Sequence, residues 1–168
     1  VWFGGCRGRV QRLTDSKIFV LKNPELLHKY YRNSSNVMIV TSHFGNWELF
    51  GSIVNSLPED SEIQTNDFVV VYKQLKSQFW NKFLADNRCA VLHEFEGYTE
   101  SKQVLRYALA HKNERKIYVF PNDQFPYRGA ARYEVPQFMN QKTQAMIGGV
   151  ALASKLCMSV LYCGMNRV

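Results

Sequence analysis

The sequence lacks several patterns that would place it in a familiar class of protein. Its four cysteines form no C-x-x-C pair, and Cys89 and Cys157 lie in apolar runs, where buried, reduced thiols are usual. A reducing compartment is therefore favoured over a disulfide framework. No apolar run reaches the ~18 residues that a membrane-spanning helix needs, and the N-terminal segment does not resemble a signal peptide.

Two further function classes lack their usual marks. The 21 basic and 14 acidic residues give a net charge of +7, which suits nucleic acid, acidic lipid headgroups or an acidic protein as a partner. We expect no nucleic-acid partner, because no basic stripe alternates with aromatic residues and no recognition motif is present. We also expect no metal, because no two histidines have the close spacing of a zinc site, and we expect no cofactor.

Two alternatives to an enzyme without a metal stay open. One is a non-enzymatic basic domain that binds nucleic acid or anionic lipid, with an affinity that falls steeply as salt is added. The other is a metal hydrolase that uses His43, Glu48, His93 and Asp123, which a metal assay on the purified protein tests.

The sequence does contain an alternation of strand-like and helix-like segments. Runs rich in β-branched and aromatic residues predict strands at 36–42, 68–72, 89–92, 117–120 and 158–162. Helical patterns alternate with these strands. The first begins at Pro24, two more cover 46–55 and 77–87, a fourth follows Thr99 as its cap, and the last covers 144–156 after Thr143. This alternation predicts one α/β domain over residues 1–168, with a largely parallel central sheet and helices on both faces.

Polar side chains follow four of the predicted strands. They are His43 and Glu48 after the first, Lys73 and Lys76 after the second, His93 and Glu94 after the third, and Asn122, Asp123 and Gln124 after the fourth. Ligands of open parallel sheets bind at the carboxyl ends of the strands, so we expect these groups to form a site. The pair Gly148-Gly149 falls inside a predicted helix, where close packing is a better interpretation than phosphate binding.

His43 and Glu48 form the most informative pair in this set. A carboxylate near a histidine can hold one ring nitrogen while the other nitrogen accepts a proton from a substrate. Simpler roles exist for each group: His43 as a histidine whose ring bonds to a backbone carbonyl, Glu48 as a favourable acid in a first helical turn, Asp123 as a turn cap, and the lysines as solvated charges.

The segment His43-Phe44-Gly45-Asn46-Trp47-Glu48 resembles the H-x-G-N-W-E motif of the late acyltransferases of lipid A biosynthesis, the lauroyl and myristoyl transferases of Gram-negative bacteria. Segment 71–77 is similar to the second motif of that family, with Ser77 in place of its asparagine, and Arg88 resembles the arginine that ends the following helix. Segment 120–124 is similar to the family's P-D-Q motif, with one residue inserted. Segments 129–138 and 143–156 resemble the hairpin-like stretch and small-residue helix that follow. Glycerol-phosphate acyltransferases share a looser version, with aspartate at the position of Glu48 and a later F-P-E-G block.

The resemblance implies a glycerolipid acyltransferase-like fold and an acyltransferase activity of the EC 2.3.1 type. His43 would be the general base and Glu48 would fix its tautomer and stabilise the imidazolium, as in catalytic triads. Lys73 and Arg88 would hold phosphate, and Asp123 and Gln124 would lie in the substrate site. For Asp123, three roles stay open: orienting a base, binding a sugar hydroxyl, or shaping the pocket.

The resemblance also implies substrates and a location. The donor would be an acyl carrier protein or acyl-CoA, and the acceptor a phosphorylated, already acylated glucosamine disaccharide, with a membrane surface as a further partner. Acyltransferases of other membrane lipids, of the glycerol-phosphate or aminolipid type, are the alternative. We expect the cytoplasmic face of the bacterial inner membrane, and a chain that is a fragment without its N-terminal anchor and C-terminal end. Because no serine or cysteine at a strand exit is placed beside His43 in a way that suggests an acyl-enzyme, we expect direct transfer in a ternary complex.

Overall fold

A five-stranded parallel sheet forms the centre of the computed structural model, which describes residues 19–45, 47–89, 98–130 and 132–166. In chain order the strands of the structure are β1 (Asn36–Thr41), β2 (Phe68–Tyr72), β3 (Tyr98–Glu100), β4 (Lys116–Pro121), β5 (Arg132–Phe138), β6 (Gln141–Met146) and β7 (Ser159–Tyr162). The central sheet has the order β3-β2-β4-β1-β7, and β5 and β6 pair as a separate antiparallel ribbon. The predicted α/β class with a largely parallel sheet is confirmed.

Helices cover both faces of this sheet. They are α1 (Pro24–Asn33), α2 (Gln78–Cys89), α3 (Val104–Ala110) and α4 (Gly148–Lys155), with short 3-10 helices at Trp47–Ser52, Val54–Ser56 and Thr65–Asp67. Leu27 of α1 packs in one core cluster with Val37 of β1, whereas Ala108 of α3 and Leu152 of α4 pack with Met38 in the other. Val37 and Met38 are neighbours, and successive side chains of a strand point to opposite faces. The apolar runs are continuous because both faces of the sheet are buried.

Four predicted elements differ in the structure. Cys89 ends α2 instead of beginning a strand, and residues 90–92 of that predicted strand lie outside the described part of the chain. Thr99 lies buried in β3 instead of capping a helix, and Gln103 precedes α3. The predicted helix at 46–55 is two short 3-10 helices, with Asn46 not described. Thr143 belongs to β6, so the last helix begins at Gly148 instead.

The error at Thr143 has a clear physical cause. Met139 and Asn140 both have positive φ, of 50° and 64°, which is the backbone of a two-residue hairpin turn. This turn folds β6 back onto β5, with Val135 opposite Thr143. Pairing with a partner strand therefore outweighs the weak local preference for a helix at 144–146.

One expectation about the cysteines is wrong. Cys157 is an exposed free thiol, so its predicted burial is wrong; it has a φ of 50° in the turn between α4 and β7.

Within the described ranges, no helix is both long enough and apolar enough to cross a bilayer.

Gly149 packs closely on the sheet, as we interpreted the glycine pair. A Cβ atom on Gly149 would lie 3.4 Å from Cδ1 of Phe120 and 3.6 Å from Sδ of Met38, whereas one on Gly148 would meet no atom within 4 Å. We therefore expect Gly149→Leu to lower the free energy of unfolding by about 1–3 kcal/mol through overpacking. The matched variant Gly148→Leu should change it by less than about 0.5 kcal/mol. Urea denaturation of both variants checks this, and equal effects would contradict the packing role.

Candidate active site

β1 and β4 are neighbouring parallel strands, and their carboxyl ends lie side by side. Thr41, the last residue of β1, pairs with Pro121, the last residue of β4. The backbone N–H of Asn122 donates to the carbonyl oxygen of Thr41 at 3.0 Å and continues the ladder by one step. His43 and Asp123 each lie two residues beyond these strand ends. The register of the sheet therefore places the imidazole and the carboxylate side by side at its carboxyl edge.

Asp123 holds His43 through two hydrogen bonds. Nδ1 of the His43 ring lies 2.6 Å from Oδ1 of Asp123, and the backbone N–H of His43 donates to Oδ2 at 2.8 Å. A carboxylate accepts hydrogen bonds, so the neutral ring carries its proton on Nδ1 and its lone pair on Nε2. The side chains are 28% and 36% exposed, respectively, so solvent or a substrate reaches the pair. This geometry is that of a base oriented by a carboxylate.

The residues that follow His43 shape its surroundings. Gly45 has a φ of +59°, a left-handed conformation that costs other residues roughly 1–2 kcal/mol. The turn brings the Trp47 ring edge-on to the His43 ring, with 4.8 Å between centroids. Phe44 remains largely exposed. The glycine and the tryptophan of the motif thus each have a local structural reason.

Asn122 connects the Asp123 loop to the antiparallel ribbon. Its side-chain amide donates to the carbonyl oxygen of Met146, the last residue of β6, at 3.3 Å. Its backbone N–H is already bonded to Thr41, so this residue is held on two sides. We infer that Asn122 fixes the direction in which the next residue, Asp123, leaves the strand.

The hydrogen bonds from His43 also lower the pKa of the Asp123 carboxyl. Partial burial raises the pKa of this carboxyl, but the His43 ring and backbone N–H outweigh that effect and hold the pKa below its usual value. Asp123 is therefore ionised at neutral pH. An ionised carboxylate is the form that stabilises a positively charged imidazole.

The lowered pKa of Asp123 predicts how stability depends on pH. A carboxyl whose pKa is lower in the folded state stabilises the fold above its ordinary pKa, which is 3.8 here, and this contribution is lost as the pH falls through the folded-state value. We expect wild type to be more stable than Asp123→Asn at neutral pH, with the difference shrinking below about pH 4. Thermal unfolding followed from neutral to acidic pH measures it. A difference that grows towards low pH would contradict this assignment.

The second strand brings Lys73 to the same side of the sheet. Lys73 follows β2, and its Nζ lies 3.6 Å from the centroid of the Tyr127 ring, a cation–π contact with the loop after Asp123. Gln124 is exposed in that loop, and Lys76 is exposed in the loop before α2. Lys73, Asp123 and Gln124 thus lie in segments that leave neighbouring strands at one edge. Their predicted roles in binding substrate stay predictions.

The side chains of other predicted site residues lie outside the described part of the structure. The backbone of Glu48 lies in the 3-10 helix after His43, and that of Arg88 lies near the end of α2, about 15 Å along the helix axis from Gln78. His93 and Glu94 are not described at all. Because Asp123 is hydrogen-bonded to Nδ1 of His43, Asp123 is a second candidate for the orienting role that was predicted for Glu48.

Sequence reasoning left orienting a base as one of three open roles for Asp123, but it named Glu48 as the partner of His43. The separation of 80 positions between His43 and Asp123 gives no local signal. The signal that does exist is their equal distance from the ends of two strands. It becomes usable only when β1 and β4 are known to be neighbours, and they are not consecutive in the chain. Tyr127, the partner of Lys73, carried no sequence signal.

Two further findings bear on what this site is: the acidic, thiol and imidazole groups near one another, and the similarity of the sequence to known proteins. Among the residues that the structure describes, no group of three or more His, Cys, Asp or Glu side chains could hold a metal ion. Comparison of the sequence with models of protein families gave no match, and comparison with curated proteins gave none either. Any link to a known family therefore rests on the motif resemblance alone.

Proposed function

We propose that this chain is an acyltransferase that moves a fatty acyl group from a thioester to a hydroxyl group of a membrane glycolipid. The observation that carries the proposal is the His43–Asp123 pair, 2.6 Å apart at the carboxyl edge of a parallel sheet. A partly exposed histidine with Nδ1 held by an ionised carboxylate is suited to remove a proton from an alcohol. The H-x-G-N-W-E resemblance supports acyl transfer as the reaction.

The proposed reaction balances with one base. Nε2 of His43 takes the proton of the acceptor hydroxyl while its oxygen attacks the thioester carbonyl carbon. Asp123 remains ionised and stabilises the imidazolium through Nδ1–H. The tetrahedral intermediate then loses the thiolate, which takes the proton from Nε2 and leaves as a free thiol. The products are an ester and a thiol, and His43 returns to its neutral form.

The resemblance supplies the proposed substrates. The donor is an acyl carrier protein or acyl-CoA; acyl carrier proteins are acidic, which suits a chain with a net charge of +7. The acceptor is a phosphorylated, partly acylated glucosamine disaccharide, with Lys73 as a candidate phosphate ligand at the carboxyl edge. The phosphate role of Arg88 stays a prediction from the resemblance, because its backbone lies near the opposite end of α2 from that edge. Glu48 is a second candidate catalytic carboxylate. The proposed location is the cytoplasmic face of the bacterial inner membrane.

A transfer assay tests the proposal directly. Acyl carrier proteins and acyl-CoAs carrying radiolabelled chains are incubated with the protein and with one acceptor at a time: a phosphorylated diglucosamine lipid, glycerol 3-phosphate, or an aminolipid. We expect labelled ester on the diglucosamine lipid that depends on His43. Label on glycerol 3-phosphate or on the aminolipid alone would assign the other acyltransferase type. No labelled product with any pair would overturn the proposal.

Direct transfer makes a kinetic prediction. If the acceptor attacks the thioester without an acyl-enzyme, double-reciprocal plots at several donor concentrations should intersect, and no acyl group should remain on protein incubated with donor alone. Ser42 precedes His43 in the chain and is the nearest hydroxyl in sequence, so Ser42→Ala should retain activity. Parallel plots, or an acyl-protein that disappears in Ser42→Ala, would contradict direct transfer.

A further inference from the structure

An aromatic cluster lies at the beginning of α2 and is not part of the proposed reaction. The rings of Phe79, Trp80 and Phe83 contact one another, with centroid distances of 5.2, 5.7 and 6.2 Å. Phe79 is 68% exposed and Trp80 is 55% exposed, and Leu75 in the preceding loop is also exposed. Large apolar side chains grouped on a surface usually mark an interaction site. We call Leu75, Lys76, Phe79, Trp80 and Phe83 the α2 surface.

The α2 surface is held in shape by its own hydrogen bonds. The side-chain oxygen of Asn81 accepts the backbone N–H of Leu75 at 3.1 Å, which ties the loop to the helix. Ser77 accepts the N–H of Trp80 through its hydroxyl at 3.4 Å and the N–H of Asn81 through its carbonyl at 2.9 Å. The exposed rings thus lie on an ordered first helical turn, and Ser77 has a role as its cap.

The charged residues of the segment that carries this surface are all basic. Between Asp67 and Asp86 the sequence contains no acidic residue, whereas Lys73, Lys76 and Lys82 lie in that interval. All three lysines are exposed. An anionic partner is therefore attracted to the same place where apolar rings project.

A lipid bilayer accepts both features at once. Tryptophan and phenylalanine rings enter the boundary between headgroups and acyl chains, and lysines beside them pair with anionic phosphates. An acidic protein that pairs with the lysines would also need an apolar patch that covers two large rings, whereas an anionic bilayer offers charge and apolar depth at every point of its surface. The combination of exposed rings and cations therefore favours a membrane over an acidic protein.

The position of α2 connects this surface to the site. α2 begins after β2, at the carboxyl edge of the sheet where His43 and Asp123 lie, because it returns the chain to the start of a parallel strand. Lys73 joins the loop before α2 to Tyr127 in the loop after Asp123, at 3.6 Å from the ring centroid. A bilayer in contact with the α2 surface would thus lie beside the candidate active site.

We infer that the α2 surface docks the protein onto an anionic lipid bilayer and presents its lipids to the edge of the sheet where His43 lies. The rings insert at the membrane interface and Lys76 binds anionic headgroups. This inference rests on the proposed function for the identity of the acceptor lipid, but the docking itself follows from exposed rings and charge.

Vesicle flotation tests the docking. Phosphatidylcholine vesicles with and without phosphatidylglycerol are mixed with wild type and variants, and bound protein is measured at low and high salt. Phe79→Ser/Trp80→Ser should bind anionic vesicles about tenfold more weakly through lost ring burial. Lys76→Glu should bind at least about fivefold more weakly at low salt. The controls Leu109→Ser, an exposed apolar side chain near the end of α3, and Lys155→Glu, at the end of α4, should bind like wild type, because both helix ends lie towards the amino edge of the sheet.

Quenching by brominated lipids locates the contact. Of the three tryptophans, we expect Trp80 to be the one that brominated lipids quench. Most of the quenching seen with wild type should therefore be lost in Trp80→Phe, although this variant should still bind the vesicles. No binding of wild type, or equal binding of Phe79→Ser/Trp80→Ser, would overturn the inference. Binding that is unaffected by the aromatic variant and abolished by salt would show that charge alone attracts the protein to anionic lipid, and would also overturn the inference.

The outcomes separate the docking from the reaction. His43→Ala should float with vesicles like wild type, because His43 is not part of the α2 surface. Acyl transfer to a detergent-dispersed acceptor without vesicle binding would refute the docking and retain the proposed function. Vesicle binding without transfer to any acceptor would refute the proposed function and retain the docking.

Discussion

Replacing His43 with alanine is expected to lower kcat for acyl transfer by about 10²–10⁴-fold, because no other group would take the proton of the acceptor hydroxyl. The fold should survive. His43 is partly exposed beyond the end of β1, and its loss leaves Asp123, which is 36% exposed in its side chain, open to hydration. Rates with a saturating thioester donor, together with circular dichroism of the variant, measure both expectations.

His111→Ala is the matched control for this variant. His111 also has a defined hydrogen bond, from Nδ1 to the carbonyl oxygen of Tyr107 at 2.9 Å, and its ring stacks on Tyr107. It follows α3, which returns the chain to the amino edge of the sheet, away from His43. His111→Ala should therefore retain kcat. Near-normal turnover in folded His43→Ala would remove His43 as the base.

Much of the fold could be predicted because the central strands have strong local signals. The run 68–72 was placed at its observed bounds, and the runs at 36–42 and 117–120 were placed within one residue at each end. Each is β-branched and buried on both faces, so local preference and tertiary burial agree. β3 was missed because it is three residues long and contains little apolar sequence.

The ribbon of β5 and β6 shows where local patterns are insufficient. Most of its residues are exposed, so neither strand has the continuous apolar run that marks the central strands. Its turn at Met139-Asn140 lacks the glycine that usually marks a positive-φ hairpin turn. The small residues of α4 then made the helical pattern look longer than it is. Strand pairing, which is not visible in a local window, determines this segment.

The site was predicted as a set of residues but not as a set of contacts. Four predicted strand ends pointed to one edge, and the ends of β1, β2 and β4 do lie there, with β1 and β4 paired at their last residues. Spacing favoured Glu48 as the partner of His43 because only local partners are visible in a sequence. Asp123 becomes the partner because β4 lies next to β1 in the order β3-β2-β4-β1-β7.

Asp123→Asn is expected to lower kcat by about 10⁴-fold, the size of effect that this substitution has in a serine-protease triad. The amide of asparagine can donate a hydrogen bond to Nδ1 of His43, which would move the ring proton to Nε2. A ring protonated at Nε2 cannot accept the proton of a hydroxyl. The loss should therefore appear in kcat with little change in KM, because the ring would keep its position but have the wrong tautomer.

Comparison with Glu48→Gln decides which carboxylate orients the base. Both variants remove one negative charge while keeping the size of the side chain, so a purely electrostatic effect would be similar in the two. ¹⁵N chemical shifts of the His43 ring report its tautomer, and we expect a change from Nδ1–H to Nε2–H in Asp123→Asn only. If the tautomer changed in Glu48→Gln and not in Asp123→Asn, Glu48 would be the orienting acid. The contact of 2.6 Å between His43 and Asp123 would then have no part in the reaction.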